Sequence, residues 1–156
     1  MRSRKKKSRG YTFVEVLVVT AIIGITATIA IVSLNKAHAK GKDGVAITAI
    51  NRLSARAEII YALDRDYDKV KCSGGDKEIA DLCLSINAKL SPNTLNIVPS
   101  ADTNAGRYCA YIKLLSPKNG TANYYCIDSS GTAKETTTDP GGASGKCKSS
   151  GTFVCP

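Results

Sequence analysis

The feature that most constrains this chain is an apolar run of 24 residues, from Tyr11 to Leu34, which carries one charge at Glu15. A helix rises about 1.5 Å per residue, so this run would be about 36 Å long as a helix. The hydrocarbon core of a bilayer is about 30 Å thick. The segment 11–34 is therefore predicted to be a membrane-spanning helix.

The run is preceded by a short basic leader, residues 1–10, with the sequence MRSRKKKSRG. Six of the 22 basic residues lie in this leader, which leaves 16 basic against 13 acidic residues in the remainder. A basic segment beside an apolar helix stays on the cytoplasmic side of the membrane. The net charge of +9 therefore indicates topology first, and is weak support for a nucleic-acid-binding domain.

A second helical pattern follows the apolar run in residues 35–65. Its apolar residues are spaced four and three positions apart and share one helix face: Ala46, Ile50, Leu53, Ala57 and Ile60. This spacing predicts an amphipathic continuation of the first helix, from about Thr12 to about Leu63. Gly41 and Gly44 each weaken a helix by roughly 1 kcal/mol relative to alanine, so loosening is expected between them.

The remaining residues, 66–156, have the pattern of a small mixed domain. Residues 66–106 look irregular, apart from an apolar patch at 79–90 that fits a short helix. Residues 107–115 and 122–128 are rich in Tyr and Ile and predict two strands, joined by a turn at 116–120. The predicted fold is α+β: a long N-terminal helix, its first half spanning a membrane, with a small antiparallel sheet packed on its second half.

All six cysteines lie in this last domain: Cys72, Cys83, Cys109, Cys126, Cys147 and Cys155. An even count in a small polar domain predicts disulfides and an oxidising compartment. A zinc site is the alternative, but the chain has no C-x-x-C pair and only one histidine, His38. Sequential pairing is predicted: Cys72 with Cys83, Cys109 with Cys126, and Cys147 with Cys155. This pairing would close the Gly- and Ser-rich tail.

Residues 9–30, RGYTFVEVLVVTAIIGITATIA, resemble the N-terminal signature of type IV prepilins and pseudopilins. That signature has a basic leader ending in glycine, an aromatic residue, a glutamate at the fifth mature position and about twenty apolar residues. The first mature residue is usually Phe in this family, whereas here it is Tyr11. The resemblance covers roughly the first 30 residues, and the C-terminal half fits the family only in outline.

The resemblance implies a role for three residues. A prepilin peptidase would cut between Gly10 and Tyr11 and methylate the new amino group of Tyr11. Glu15 would pair with the N-terminus of a neighbouring subunit and set the register of assembly. Acidic side chains inside a membrane usually have a partner, which agrees with this role; the alternative is an unpartnered Glu15 in the headgroup layer.

The implied function is structural: a subunit of a type IV pilus-type filament, with a pseudopilin of a type II secretion system as the alternative. Its implied partners are other pilin subunits, the prepilin peptidase/methyltransferase, an inner-membrane assembly platform and the membrane. The precursor is expected in the cytoplasmic membrane with its C-terminal domain outside, and later in an extracellular filament. DNA contact through the tail lysines (Lys134, Lys146 and Lys148) is a less favoured alternative.

Three other interpretations of the sequence have less support. A secretory signal peptide could end at Ala37-His38-Ala39, but the apolar run is too long and contains Glu15. A plain single-pass membrane protein leaves Gly10 and Glu15 unexplained. An enzyme is not expected, because no nucleophile, phosphate-loop or metalloprotease motif occurs. No cofactor or metal is expected either, and the acidic series Asp64, Asp66 and Asp68 fits a solvated helix end better than a calcium loop.

Overall fold

The structure, a computed structural model, describes residues 10–99, 106–148 and 152–156. Its contacts divide the chain into two units that meet in sequence between Ala37 and His38. Helix α1 (Phe13–Asp64) has residues in both units. The predicted helix, from about Thr12 to about Leu63, differs from these bounds by one residue at each end.

In the N-terminal unit, every described residue is exposed. Its internal threonines keep their hydroxyls satisfied within the helix. Thr20 donates to the carbonyl of Leu17 at 2.9 Å, and Thr28 donates to that of Ile25 at 2.7 Å. This is how hydroxyls are tolerated in an apolar helix.

In the C-terminal unit, the predicted stripe of α1 is buried: Ala46, Ile50, Leu53, Ala57 and Ile60. The expected loosening at Gly41 and Gly44 is not observed, because the helix continues through both residues. Glycine lowers helix propensity, but tertiary contacts override it here. Asp43, between the two glycines, is buried and bonded to a distant loop through the backbone N–H groups of Leu115 and Ser116.

Helix α2 (Lys77–Leu90) forms where the sequence showed an apolar patch. Asp76 is its N-cap: the carboxylate accepts the backbone N–H of Glu78 at 3.1 Å and that of Ile79 at 3.3 Å. Arg56 on α1 donates two hydrogen bonds to the same carboxylate, at 2.8 and 3.1 Å. One side chain therefore starts α2 and ties it to α1.

Four antiparallel strands form one sheet in the order β1-β2-β3-β4. The strands are β1 (Asn96–Pro99), β2 (Tyr108–Lys113), β3 (Tyr124–Asp128) and β4 (Ala133–Thr136). The central pair β2 and β3 lies within the two predicted strands, and the α+β class is confirmed. The edge strands β1 and β4 were not predicted, because they are short and their residues show no clean alternation of apolar and polar side chains.

The hairpin between β2 and β3 closes on a two-residue turn at Asn119 and Gly120. Both have positive φ, 52° and 78°. Lys118 and Thr121 exchange backbone hydrogen bonds at 3.0 Å on either side of them. Asn-Gly is a favoured pair for this turn because both positions require a left-handed backbone.

The two faces of the sheet have different coverings. Every second residue of β2 lies on one face and belongs to the core formed with α1 and α2: Tyr108, Ala110 and Ile112. Cys109 on the opposite face clusters with Cys147 and Phe153 from the C-terminal tail. The tail therefore covers the second face, and β2 is buried on both sides.

All six cysteines form disulfides, as predicted, but two of the three predicted pairs are wrong. Cys72 pairs with Cys83, as expected, whereas Cys109 pairs with Cys147 and Cys126 with Cys155. Cys109 faces Asp128 across the β2–β3 ladder, and Cys126 faces Tyr111. Cys109 and Cys126 are thus diagonal neighbours, about 7–8 Å apart in a typical ladder, too far for a disulfide.

Candidate functional site

Thr12 provides hydrogen-bond acceptors at the start of helix α1. Its hydroxyl oxygen accepts the backbone N–H of Glu15 at 3.3 Å, and its carbonyl accepts that of Val16 at 3.3 Å. Thr12 and Glu15 have the Thr-x-x-Glu spacing of a helix capping box. Thr12 was predicted as the start of the helix but not as its cap, although this spacing could have revealed the capping role.

The predicted processing junction, Gly10–Tyr11, lies just before this cap and outside the helix. Among the described residues, a Cβ placed on Gly10 would meet nothing within 4 Å. The packing of this part of the chain therefore gives no reason for glycine at this position. The side chain of Tyr11 is 83% exposed. The backbone here is accessible to another protein without any helical hydrogen bond being broken.

Glu15 is exposed in the first turn of α1, four residues after Tyr11. Among the described residues, its carboxylate forms no ion pair. A carboxylate in the first turn gains about 0.3–1 kcal/mol from the helix dipole. A charge at the bilayer centre costs about 2.5–3.5 kcal/mol on insertion scales, and less near the interface. At depth in a membrane, helix capping alone would not offset this cost.

The apolar side chains of the N-terminal unit are uncovered all around the helix, for example Phe13 at 82% and Ile29 at 67% exposure. Helix α1 is long and apolar enough to cross a membrane. A helix that is apolar on all sides needs an apolar environment, which lipid or neighbouring apolar helices can provide. The structure thus places Gly10, Tyr11 and Glu15 together at one end of an apolar helix.

The six cysteines belong to the C-terminal unit, where all of them form disulfides. Within the described residues, no group of three or more His, Cys, Asp or Glu side chains is arranged to hold a metal. Asp64, at the end of α1, is paired with Lys69 at 2.7 Å. Asp66 accepts the backbone N–H of Asp68 at 3.1 Å. These contacts are local to the helix end.

A family model described as the prokaryotic N-terminal methylation motif matches residues 5–31. Residues 5–31 thus carry a type IV pilin-like prepilin signature, which contains the Gly10–Tyr11 junction and Glu15. The motif supports a type IV pilin-like or pseudopilin-like prepilin. Comparison with curated proteins found no match. Comparison with solved structures found none either.

Proposed function

We propose that this chain is a pilin-like structural subunit of a type IV pilus-type filament. It is made as a membrane-inserted prepilin, cleaved between Gly10 and Tyr11, and methylated on the new amino group of Tyr11. The observation that carries the proposal is the methylation motif over residues 5–31. This motif coincides with the basic leader, the start of α1 and its apolar surface.

The geometry around Gly10 supports cleavage there. No contact with a residue that the structure describes requires the glycine, since a Cβ would meet nothing there within 4 Å. A peptidase that approaches the backbone closely would explain it, because a residue without a side chain allows that approach. The helix begins only at Phe13, so the Gly10–Tyr11 peptide bond is outside the α1 hydrogen-bond ladder.

Assembly would be driven by the apolar side chains of the N-terminal unit. Ile22, Ile25 and Leu34 are each more than half exposed in the single chain. Burying one such side chain contributes about 1.5–3 kcal/mol. Transfer of such a side chain from lipid to a helix bundle contributes less free energy, because lipid is already apolar. Within the membrane, close packing of the helices contributes most to their association.

Glu15 would set the register between neighbouring subunits. After cleavage, the amino group of Tyr11 is a cation at the end of the same helix. A carboxylate and an ammonium group in an apolar environment attract strongly, and each is costly to leave unpaired. Pairing of Glu15 in one subunit with the amino group of Tyr11 in the next would therefore allow only a few axial offsets between neighbouring subunits.

A pseudopilin of a type II secretion system is the second candidate. Both kinds of subunit carry the same N-terminal signature, so the choice depends on the C-terminal unit. We favour a surface pilus because two disulfides clamp the Gly- and Ser-rich tail onto the sheet. Such a clamp suits a surface that faces the medium, where covalent cross-links persist.

The test is N-terminal sequencing and intact mass of the protein from membranes and from sheared surface material. If the chain is processed as proposed, the recovered protein begins at Tyr11 and its mass includes one added methyl group. Recovery from the sheared fraction supports a pilus, and its absence there supports the pseudopilin. A start near Lys40 or an uncut Met1 would contradict the prepilin assignment.

A further inference from the structure

One end of the C-terminal unit carries a group of exposed lysines. They come from α1, the last turn of α2, the end of β2 and the loop after it, and together they form the basic end: Lys40, Lys42, Lys89, Lys113 and Lys118. The basic end lies where α1 enters the C-terminal unit, which begins at His38. A surface with one sign of charge attracts ligands of the opposite sign.

The loop after β2 is held against the first turns of α1 in this unit. Asp43 accepts two backbone N–H groups of the loop, at 2.7 and 2.8 Å. These donors lie between Lys113 and Lys118 in sequence, so both lysines are carried to the same part of α1. Lys40 and Lys118 also line one cleft.

The C-terminal end of α2 reaches the same place. Lys89, in the last turn of α2, lines a cleft with Gly41 and Gly44 of α1. Asn93, three residues past the end of α2, donates to the carbonyl of Lys113 at 3.0 Å. Helix α2 and strand β2 therefore both end beside the part of α1 that carries the first two lysines.

Negative charges nearby offset the basic end only in part. Among the residues that the structure describes, Lys118 is the member with an ion pair, to Glu135 at 4.0 Å, and the other four lysines have none. The Asp43 carboxylate is buried, and each of its oxygens already accepts a backbone N–H. The basic end therefore keeps a net positive charge.

The basic end follows the apolar run closely along the chain. Lys40 and Lys42 come six and eight positions after Leu34, the last residue of the run, within the same helix. Along a helix these separations are about 9 and 12 Å. The headgroup layer extends about 5–8 Å beyond the hydrocarbon core on each side. Since a lysine side chain is long and flexible, both ammonium groups can reach lipid phosphates when the run crosses a bilayer.

Membrane topology does not explain lysines at this position. Basic residues beside a membrane helix favour its cytoplasmic side, and in the proposed topology the leader, residues 1–10, supplies them there. Lys40 and Lys42 lie beyond the other end of the apolar run, so their charges oppose this orientation. An anionic ligand on the outer side of the membrane would account for them.

We propose that the basic end binds the phosphate groups of anionic phospholipids in the outer leaflet of the membrane that the apolar run crosses. Lysines near an anionic membrane surface are attracted to it within a Debye length, about 8 Å at physiological salt. Each contributes about a fivefold preference for that surface. The contact would hold the C-terminal unit against the bilayer before assembly. This inference rests on the membrane insertion in the proposed function.

The test uses the full chain, isotope-labelled, in nanodiscs of phosphatidylcholine with one third phosphatidylglycerol. One of the two lipids carries a nitroxide on its acyl chain near the headgroup, at the same mole fraction in either sample. Nuclear magnetic resonance then measures how strongly each backbone N–H signal is broadened. Signals of residues 118–120 should broaden about fivefold more with labelled phosphatidylglycerol, and high salt should reduce this excess. Equal broadening by the two lipids would overturn the proposal and leave the basic end to water or to a neighbouring copy of the chain.

Signals of residues 30–34 distinguish the two ways in which the experiment can fail. If the apolar run is inserted, both labelled lipids broaden these signals. Broadening there without a lipid preference at residues 118–120 would overturn this inference alone. No broadening at residues 30–34 by either lipid would contradict membrane insertion, and this inference with it.

A matched pair of double variants assigns the site. Lys89→Gln/Lys118→Gln removes two charges from the basic end and should abolish most of the preference for labelled phosphatidylglycerol. Lys71→Gln/Lys77→Gln removes the same charge from exposed positions near the opposite end of α2 and should retain the preference. An equal loss in the two double variants would show a nonspecific effect of net charge and overturn the assignment.

Discussion

Asp43, in the middle of helix α1, accepts the backbone N–H of Leu115 at 2.7 Å across 72 positions of sequence. The second oxygen of the same carboxylate accepts the N–H of Ser116 at 2.8 Å. These two N–H groups lie just past β2, where the ladder has ended. The buried Asp43 carboxylate thus accepts two backbone N–H groups that have no strand partner. It anchors the β2–β3 loop to the helix.

Replacing Asp43 with alanine would leave both N–H groups without their acceptor. We expect Asp43→Ala to lower the free energy of unfolding by about 3 kcal/mol, as hydrogen bonds to a charged group are worth about 1.5–3 kcal/mol each. Urea unfolding followed by circular dichroism measures this loss. Asp81→Ala, on the exposed face of α2, should change stability by less than about 0.5 kcal/mol. Equal effects of the two variants would contradict the anchoring role.

The disulfide between Cys109 and Cys147 holds the C-terminal tail on the sheet. The double variant Cys109→Ser/Cys147→Ser should lose about 2–4 kcal/mol of stability, because the link closes a loop with a sequence separation of 38. Limited trypsin digestion should then cut at Lys146 or Lys148. The matched control, Cys72→Ser/Cys83→Ser, opens a shorter loop elsewhere and should leave the tail resistant. Tail cleavage at the same rate in both would refute this role.

Acid should weaken the contact between α1 and α2. The hydrogen bonds from Arg56 lower the pKa of Asp76 below its usual range, helped by the backbone N–H groups of Ile79 and Glu78 and opposed by burial. A carboxyl group whose pKa is lowered by folding stabilises the fold above its unfolded pKa of about 3.9. This stabilisation is lost as pH falls below that value through the folded pKa.

The variant Asp76→Asn tests this acid dependence, because asparagine is also a good N-cap but cannot ionise. It should be less stable than the unmodified protein at pH 7, and the difference should shrink below about pH 4. Unfolding free energies across this pH range, by urea titration, give the comparison. A difference that stays constant with pH would mean that the ion pair with Arg56 does not contribute.

Alkali should weaken the packing of β2 against α1. Burial raises the pKa of Tyr108 to about 12, although its hydrogen bond to Ser54 opposes the shift. Burial and the bond to Glu58 raise the pKa of Tyr67, whose ring is 4.8 Å from that of Tyr108. A tyrosine whose pKa is raised by folding stabilises the fold below its unfolded pKa of about 10. This contribution disappears as pH rises from about 10 to 12.

Tyr108→Phe should flatten this alkaline loss, because phenylalanine does not ionise. At neutral pH it should cost about 1 kcal/mol for the lost bond to Ser54. Unfolding free energies between pH 8 and pH 12, with tyrosinate absorbance recorded in parallel, test the prediction over a range of about four pH units. Tyr11→Phe alters an exposed ring and should keep the full alkaline slope. An unchanged slope in Tyr108→Phe would rule out this explanation.

Glu15→Ala separates membrane insertion from assembly. Insertion should be retained, since the substitution removes a charge from an apolar helix. Assembly should fall sharply because the proposed register contact with Tyr11 of a neighbouring subunit is lost. The measurement is the ratio of protein in membranes to protein in sheared filaments, with N-terminal sequencing of both. Glu58→Ala, on the C-terminal unit, is the comparison variant. Normal filaments from Glu15→Ala would contradict the proposed register role of Glu15.

The helix and strands that were predicted correctly are those with a clear pattern in their own residues. The four-and-three spacing from Ala46 to Ile60 predicted the buried stripe of α1, and the Tyr- and Ile-rich segments predicted β2 and β3. The edge strand β4 was missed because most of its residues are exposed and polar. Such strands are defined by their partners more than by their own side chains.

The N-terminal signature was determined by sequence alone. The length of the apolar run, its single charge at Glu15 and the glycine before it are linear features, so they can be recognised without coordinates. Only the tertiary structure decided which cysteines pair, that Asp43 anchors a distant loop, and that lysines from two helices and a hairpin meet at one end of the C-terminal unit. These facts depend on strand register and on contacts between residues far apart in the chain, and periodicity carries information only about neighbours.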